Sequence, residues 1–143
     1  MNPTMLHLLT WAIAIIFLIL GGIHVYWAAG GTLSVTAIPS KDGKPLFSPS
    51  PLTTLCVAVL LFCAAVLVLM GAGLMDLGLP SPLVEIGNWV LIVAFAGRAV
   101  GDFRYVGFFK RVRDTSFADW DTKLFSPLCL GLSLGMAALR VSA

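Results

Sequence analysis

Charged residues are scarce in this sequence. The 143 residues include seven acidic and nine basic side chains, so 11% of the chain is charged, whereas soluble domains average about 25%. Hydrophobic residues make up 59%, and a single domain of this length cannot bury so much apolar surface away from water. The composition therefore predicts a membrane protein. The basic residues do not form a run with interleaved aromatics, which argues against nucleic-acid binding.

Residue types that bind metals or catalyse reactions are equally few. Cys56, Cys63 and Cys129 lie in apolar runs without a C-x-x-C motif, which predicts packing residues and no disulfide or metal site. His7 and His24 lie about 25 Å apart along one predicted helix, too far to bind one haem together. The sequence contains no serine, histidine and aspartate in that order along the chain, no Gly-rich phosphate loop and no H-E-x-x-H motif. It therefore assigns no catalytic residue, no metal ligand and no cofactor.

Four apolar runs are each long enough to cross a hydrocarbon core of about 30 Å as a helix. We therefore predict an all-α fold, a four-transmembrane-helix bundle that forms one integral membrane domain over residues 1–143. The predicted spans are approximately 5–27, 52–75, 83–103 and 124–141. Residues 1–10 contain no Lys or Arg, which favours a retained helix over a signal peptide.

Two long segments connect these spans. Residues 28–51 contain several prolines and the turn signal Asp42-Gly43, which predicts a loop with a short hairpin. Because the loop is long for a compact bundle, we expect it to fold over something. After the third span, whose helix we expect to extend towards a basic cluster, aromatic and basic residues alternate. They predict an interfacial anchor on anionic lipid, made of Phe108, Phe109, Lys110, Arg111, Val112 and Arg113.

The basic residues are distributed unevenly between the two sides of the membrane. One side, with the segments 28–51 and 104–123, carries seven of the nine: Lys41, Lys44, Arg104, Lys110, Arg111, Arg113 and Lys123. The other side carries only Arg140, and Arg98 lies inside a span. The positive-inside rule therefore predicts that both long loops are cytoplasmic and that both termini are non-cytoplasmic.

Small residues at a spacing of four recur in the last two spans. They form Gly97-x-x-x-Gly101 and Gly131-x-x-x-Gly135. In lipid, such residues allow helix backbones to approach closely. We therefore predict close helix contacts through these two faces.

Arg98 and Asp102 are four residues apart in the third predicted span, so one helix face would bring them together as an ion pair. An arginine in the hydrocarbon core costs at least about 2.5–3.5 kcal/mol. Two explanations stay open at this point. Arg98 is either an interfacial anchor that Asp102 neutralises, or a fixed cation that binds a phosphate or carboxylate group.

Polar residues at the same predicted depth support the second explanation, while the first, and a site formed only with a partner, stay open. The candidate ligand-binding residues are His24, Tyr26, Arg98, Asp102, Arg104 and Asp121. In this hypothesis Arg98 holds the anion, Asp102 orients Arg98, and His24 titrates near neutral pH. Three functions remain open: a binder of a small anionic or lipidic ligand, an accessory subunit of a larger membrane complex or a homo-oligomer, and a membrane-embedded enzyme with His24 and a carboxylate as acid and base.

Several segments together resemble the motifs of a bacterial domain-of-unknown-function family. They are Gly22–Gly31, Ala37-Ile38-Pro39, Arg98–Lys110, Phe117-Ala118, Asp121-Thr122-Lys123 and Ser126-Pro127-Leu128-Cys129. Members of that family are small four-span proteins of the inner membrane. The resemblance implies the same span count and bacterial location here, and it supplies no activity. Its motif positions coincide with the candidate ligand-binding residues.

Overall fold

The described residues, 2–32, 37–41 and 44–142 of a computed structural model, are mostly helical. Four helices in these ranges are long and apolar enough to cross a membrane: α1 (Pro3–Ala28), α2 (Pro51–Gly71), α3 (Ser81–Val100) and a composite helix (Ser116–Ser142). This confirms the prediction of a helical chain with four such segments. The side of the membrane on which the loops lie stays a prediction.

Local capping explains where α1 and α2 begin. The side chain of Asn2 accepts a hydrogen bond from the backbone N–H of Thr4 (3.1 Å), and Ser50 accepts one from Thr53 (3.1 Å). Each cap is followed by a proline in the first turn, where the missing N–H costs nothing. Both helices therefore start slightly before the onset that hydropathy alone indicates.

Helix α3 ends at Val100, so the expectation that it continues through residue 103 towards the basic cluster is wrong. Gly101 has φ 89° and ψ −167°, a backbone conformation that essentially only glycine adopts. The chain then folds back on the helix end, because the N–H of Phe108 donates to the carbonyl of Ala99 (2.8 Å). Residues 101–114 form a loop that packs against the ends of α3 and of the composite helix; we call it the return loop.

The composite helix consists of α4 (Ser116–Trp120), a π-helical turn (Asp121–Phe125) and α5 (Ser126–Ser142). It begins eight residues before the predicted span, because the side chain of Thr115 caps it by accepting from the N–H of Ala118 (3.1 Å). The predicted span rested on hydropathy and did not include this first part. The π-helical turn places Asp121 inside the protein.

Of the two predicted glycine faces, one makes a close helix contact, and only at a single residue. Gly97 and Gly131 have no neighbour within 4 Å of an added Cβ in the described structure, and of the two faces only Gly135 approaches another helix, at Ile13 of α1. The prediction is therefore wrong for the Gly97 face, and for the Gly131 face it holds at Gly135 alone. Glycines outside the predicted faces also make close contacts, because a Cβ on Gly21 of α1 would lie 2.6 Å from the ring of Phe62 in α2.

Buried polar side chains connect α3 to its neighbours. Asn88 donates to the carbonyl of Leu67 in α2 (2.9 Å), and Ser133 of α5 donates to the carbonyl of Ile92 in α3 (2.9 Å). The apolar core between the four long helices includes Ile13, Ala14, Phe17, Ala65, Val68, Ile92, Leu132 and Met136.

The first long loop contains the predicted hairpin. Strands β1 (Ser40–Lys41) and β2 (Lys44–Pro45) pair antiparallel, while the turn residues Asp42 and Gly43 lie outside the described residues. Before the hairpin, Ala37 approaches the end of α1 and lines the cavity described below.

Candidate functional site

Asp121 is the centre of a buried ion cluster. Its side chain is fully buried. Oδ1 accepts a hydrogen bond from Arg98 Nη2 (2.8 Å), and Oδ2 accepts from the N–H of Gly107 (2.8 Å), Lys110 Nζ (3.0 Å) and Ser126 Oγ (3.1 Å). These partners on α3, the return loop and α5 compensate the cost of burying a carboxylate. We call Arg98, Lys110 and Asp121 the ion cluster.

Lys110 belongs to the protein interior and not to the membrane surface. It is 2% exposed, and its Nζ also donates to the carbonyl of Gly107 (3.1 Å) and to Thr122 Oγ1 (2.6 Å). With Asp121 these acceptors use all three ammonium protons. The prediction that Lys110 forms part of an interfacial anchor is therefore wrong. Nothing in the local sequence distinguishes it from the exposed Arg111.

The predicted pair of Arg98 and Asp102 does not form. Because α3 ends at Val100, Asp102 lies in the return loop instead of one helical turn beyond Arg98. Its Oδ1 accepts three backbone N–H groups, those of Arg104 (2.9 Å), Tyr105 (2.7 Å) and Val106 (2.9 Å). Asp102 therefore shapes the loop, and Asp121 takes the position beside Arg98.

The pKa of Asp102 lies below its ordinary value of 3.8. Desolvation raises the pKa, but the hydrogen bonds from the three backbone N–H groups lower it further than desolvation raises it.

This shift predicts how stability depends on pH. A lowered pKa in the folded state means that the ionised carboxyl contributes stability above pH 3.8, and this contribution is lost as the pH falls through the lowered value. We expect wild type to be more stable than Asp102→Asn at pH 7, with the difference disappearing below the folded-state pKa. Denaturant unfolding of both proteins between pH 7 and pH 2 measures this. A difference that stays constant over that range would contradict it.

A cavity of about 480 Å³ lies beside the ion cluster. Small-molecule sites in proteins typically measure about 300–1,000 Å³. Its wall comes from the end of α1, the first loop, the end of α3 and the composite helix. The lining residues are Leu20, Ile23, His24, Trp27, Ala37, Arg98, Phe117, Trp120, Leu124, Phe125, Leu128 and Cys129. The wall is thus largely apolar and aromatic, with Arg98 as its charged member.

Arg98 carries the uncompensated charge of the site. The ion cluster contains two cations and one carboxylate, and the ammonium of Lys110 has no proton left to donate. The Arg98 side chain is 34% exposed, whereas its Nη1 is buried and has no hydrogen-bond partner in the described part of the chain. Buried polar atoms in proteins are rarely left without a partner. The site is therefore electrostatically suited to an anion.

His24 lies on the same cavity wall. Its Nδ1 donates to the carbonyl of Leu20 (2.8 Å), because a carbonyl only accepts. The ring packs edge-on against Trp27, with 5.1 Å between centroids. Nε2 makes no hydrogen bond to a described residue. It accepts a hydrogen bond when the ring is neutral and donates one when the ring is protonated.

The other predicted site residues lie elsewhere. Tyr26 is 57% exposed and its ring packs against Gly31. The guanidinium of Arg104 lies over the ring of Tyr105, 5.1 Å from its centroid. Neither of them, nor Asp102, is a lining residue of the cavity. The structure thus brings His24 and Arg98 to one cavity with Asp121 behind Arg98, and it adds Lys110, which sequence reasoning missed.

Comparison with known proteins identifies the family of this chain but gives no activity. Residues 17–136 match the model of a family described as "Protein of unknown function (DUF3995)". No curated protein and no solved structure matches the chain. The matched range contains His24, the ion cluster and most of the four long helices. The match covers well over half of the sequence and agrees with the resemblance seen in its motifs. The chain therefore belongs to the DUF3995 family of proteins of unknown function.

Proposed function

We propose that this protein is a multi-pass protein of the bacterial inner membrane that binds a small ligand with an anionic group and an apolar body. The four apolar helices and the family support the membrane part of the proposal. The excess of basic residues in the two long loops supports a cytoplasmic location for the cavity.

The positive charge on the cavity wall carries the proposal. Arg98 is held on one side by Asp121, yet the cluster as a whole keeps one positive charge in excess. The Arg98 side chain is about two-thirds buried beside apolar side chains, so its charge is less screened than that of a fully solvated arginine and attracts an anion more strongly. A guanidinium also binds carboxylate and phosphate oxygens with directed hydrogen bonds.

The rest of the wall favours an apolar ligand body. Trp27, Phe117 and Phe125 line the cavity next to leucines, and burying apolar surface there contributes about 25 cal/mol per Å². No carboxylate lies among the lining residues, so an acid–base enzyme with His24 and a carboxylate gains no support from the described structure.

The test of this function is Arg98→Gln. The substitution leaves Lys110 and Asp121 as a neutral pair, so the protein should fold, while the cavity loses its excess charge. A charge-assisted hydrogen bond contributes about 1.5–3 kcal/mol, so the affinity for an anionic amphiphile should fall about 10- to 100-fold. Isothermal titration of the purified protein in a neutral detergent with a long-chain carboxylate measures this.

Arg104→Gln is the matched control. It removes the same charge six residues away, outside the cavity, and should leave the affinity unchanged. An equal loss of affinity in both variants would indicate attraction by net charge alone and would remove the cavity from the proposal.

Contact of the return loop with anionic headgroups is a further part of the proposal. Phe103 and Phe109 are 58% and 62% exposed, and their ring centroids lie 6.2 Å apart. The exposed Arg104 and Arg111 belong to the same loop. Aromatic and basic side chains at this level suit a membrane–water interface. A homo-oligomer or a larger complex has no comparable observation in its favour among the described residues.

A further inference from the structure

We infer that the ligand of the cavity is a single-chain amphiphile with one negative charge, which enters sideways from the bilayer. The inference rests on the proposed function, because it specifies the ligand of the same site. Three properties of the cavity carry it: its charge balance, its volume and the side chains at its rim.

The charge balance limits the head group to one negative charge. Asp121 neutralises one of the two cations, and Lys110 is fully hydrogen-bonded inside the protein. While His24 is neutral, one positive charge, at Arg98, therefore remains for a ligand. A head group with two charges would bring one of them into an apolar wall without a partner, which is strongly unfavourable.

The volume limits the apolar part to one chain. At about 30 Å³ for each water-sized group, the cavity of about 480 Å³ holds roughly 16 such groups. A methylene group is about this size, so one acyl or isoprenoid chain of moderate length fills the cavity. The second chain of a diacyl lipid would lie outside the cavity and would gain no contact with its wall.

The rim indicates the route of entry. Ile23 of α1, Trp120 of α4 and Leu124 of the π-helical turn line the cavity and are also 38%, 49% and 45% exposed. They belong to helices that are apolar enough to lie in the membrane. This part of the rim is therefore apolar, and an amphiphile can move from the bilayer into the cavity without its chain crossing water.

Two tryptophans of the wall report on occupancy. Trp27 and Trp120 line the cavity, whereas Trp11 and Trp89 do not. In the variant Trp11→Phe/Trp89→Phe, the tryptophan fluorescence therefore comes only from the two residues that line the cavity. The purified full chain in neutral detergent is titrated with lipids that carry bromine on the chain, because bromine quenches tryptophan on contact.

Four probes separate the properties of the ligand. They are a brominated fatty acid, a brominated single-chain alkyl methyl phosphate (a diester with one charge), a brominated monoacylglycerol and a brominated diacyl phosphatidylglycerol. We expect saturable quenching by both single-chain anions, with an affinity about tenfold or more above that for the other two probes. The relative affinities of the two anions show whether carboxylate or phosphate is preferred.

Each result decides one claim. Equal affinity for the diacyl lipid overturns the inference and leaves the proposed anion binding intact. Equal affinity for the uncharged monoacylglycerol overturns both. The variant Trp27→Phe/Trp120→Phe keeps the two distant tryptophans and should show no saturable quenching. Saturable quenching in that variant, or its absence with all probes in the first variant, would overturn occupancy of the cavity and with it the proposed function.

Discussion

Asp121→Asn should lower the free energy of unfolding by about 3–5 kcal/mol, which is the typical effect of removing one partner from a buried ion pair. The amide keeps the shape of the side chain but removes its charge, so Arg98 and Lys110 remain as two cations without a counter-ion. Lys110 is 2% exposed, so its charge is almost completely removed from solvent. Denaturant unfolding in detergent micelles, followed by circular dichroism, measures the loss.

Two comparisons separate the charge effect from packing. Asp119→Asn changes an exposed carboxyl two residues earlier and should shift the free energy of unfolding by less than about 0.5 kcal/mol. Lys110→Met leaves Arg98 and Asp121 as a neutral pair and should cost less than Asp121→Asn. If Lys110→Met costs as much or more, the stability of the ion cluster does not depend on its charge balance.

Gly101→Ala should lower the free energy of unfolding by a similar amount, because alanine does not fit the backbone conformation at this residue. The φ of 89° and ψ of −167° at this residue cost an alanine about 1–3 kcal/mol. The added Cβ would also collide with the carbonyl oxygen of Val106, and overpacking costs a further 1–3 kcal/mol or so. We expect a total loss of about 2–6 kcal/mol in the free energy of unfolding, together with displacement of the return loop.

Gly97→Ala is the control for this prediction. Gly97 lies in α3, one turn before Gly101, with no neighbour within 4 Å of an added Cβ in the described structure. Alanine is the better helix former, so the variant should be unchanged or more stable by about 0.5–1 kcal/mol. An equal loss at Gly97 would contradict the prediction, because the effect at Gly101 would then not be specific to its backbone conformation and its contact with Val106. Hydrogen exchange at the amides of Arg104 to Val106 follows the loop directly.

The four helices were predictable because the signal is local. Each apolar run is long enough to cross a membrane by itself, and hydropathy detects this without knowledge of neighbouring segments. The helix ends were less predictable. Hydropathy does not detect the cap at Thr115 or the glycine conformation at Gly101, and these two residues decide where the composite helix begins and where α3 ends.

The sequence was sufficient to predict which residues of the candidate site lie at similar depth, but not which carboxylate pairs with Arg98. Counting residues along the spans placed His24, Arg98 and Asp121 at similar depth, and the structure has the first two on one cavity wall. The same reasoning paired Arg98 with Asp102, because it assumed that the helix continued. A spacing of four brings two side chains together only while both residues are helical.

By itself, then, the sequence determined an apolar chain with four helices long enough to span a membrane, because those properties follow from the length and composition of each run. Only the tertiary structure decided which carboxylate neutralises Arg98. The return loop brings Lys110 and the N–H of Gly107 to Asp121 from 11 and 14 residues away. A carboxylate is stable in the interior only where such partners converge, and their convergence depends on how the loop folds back onto the helix ends.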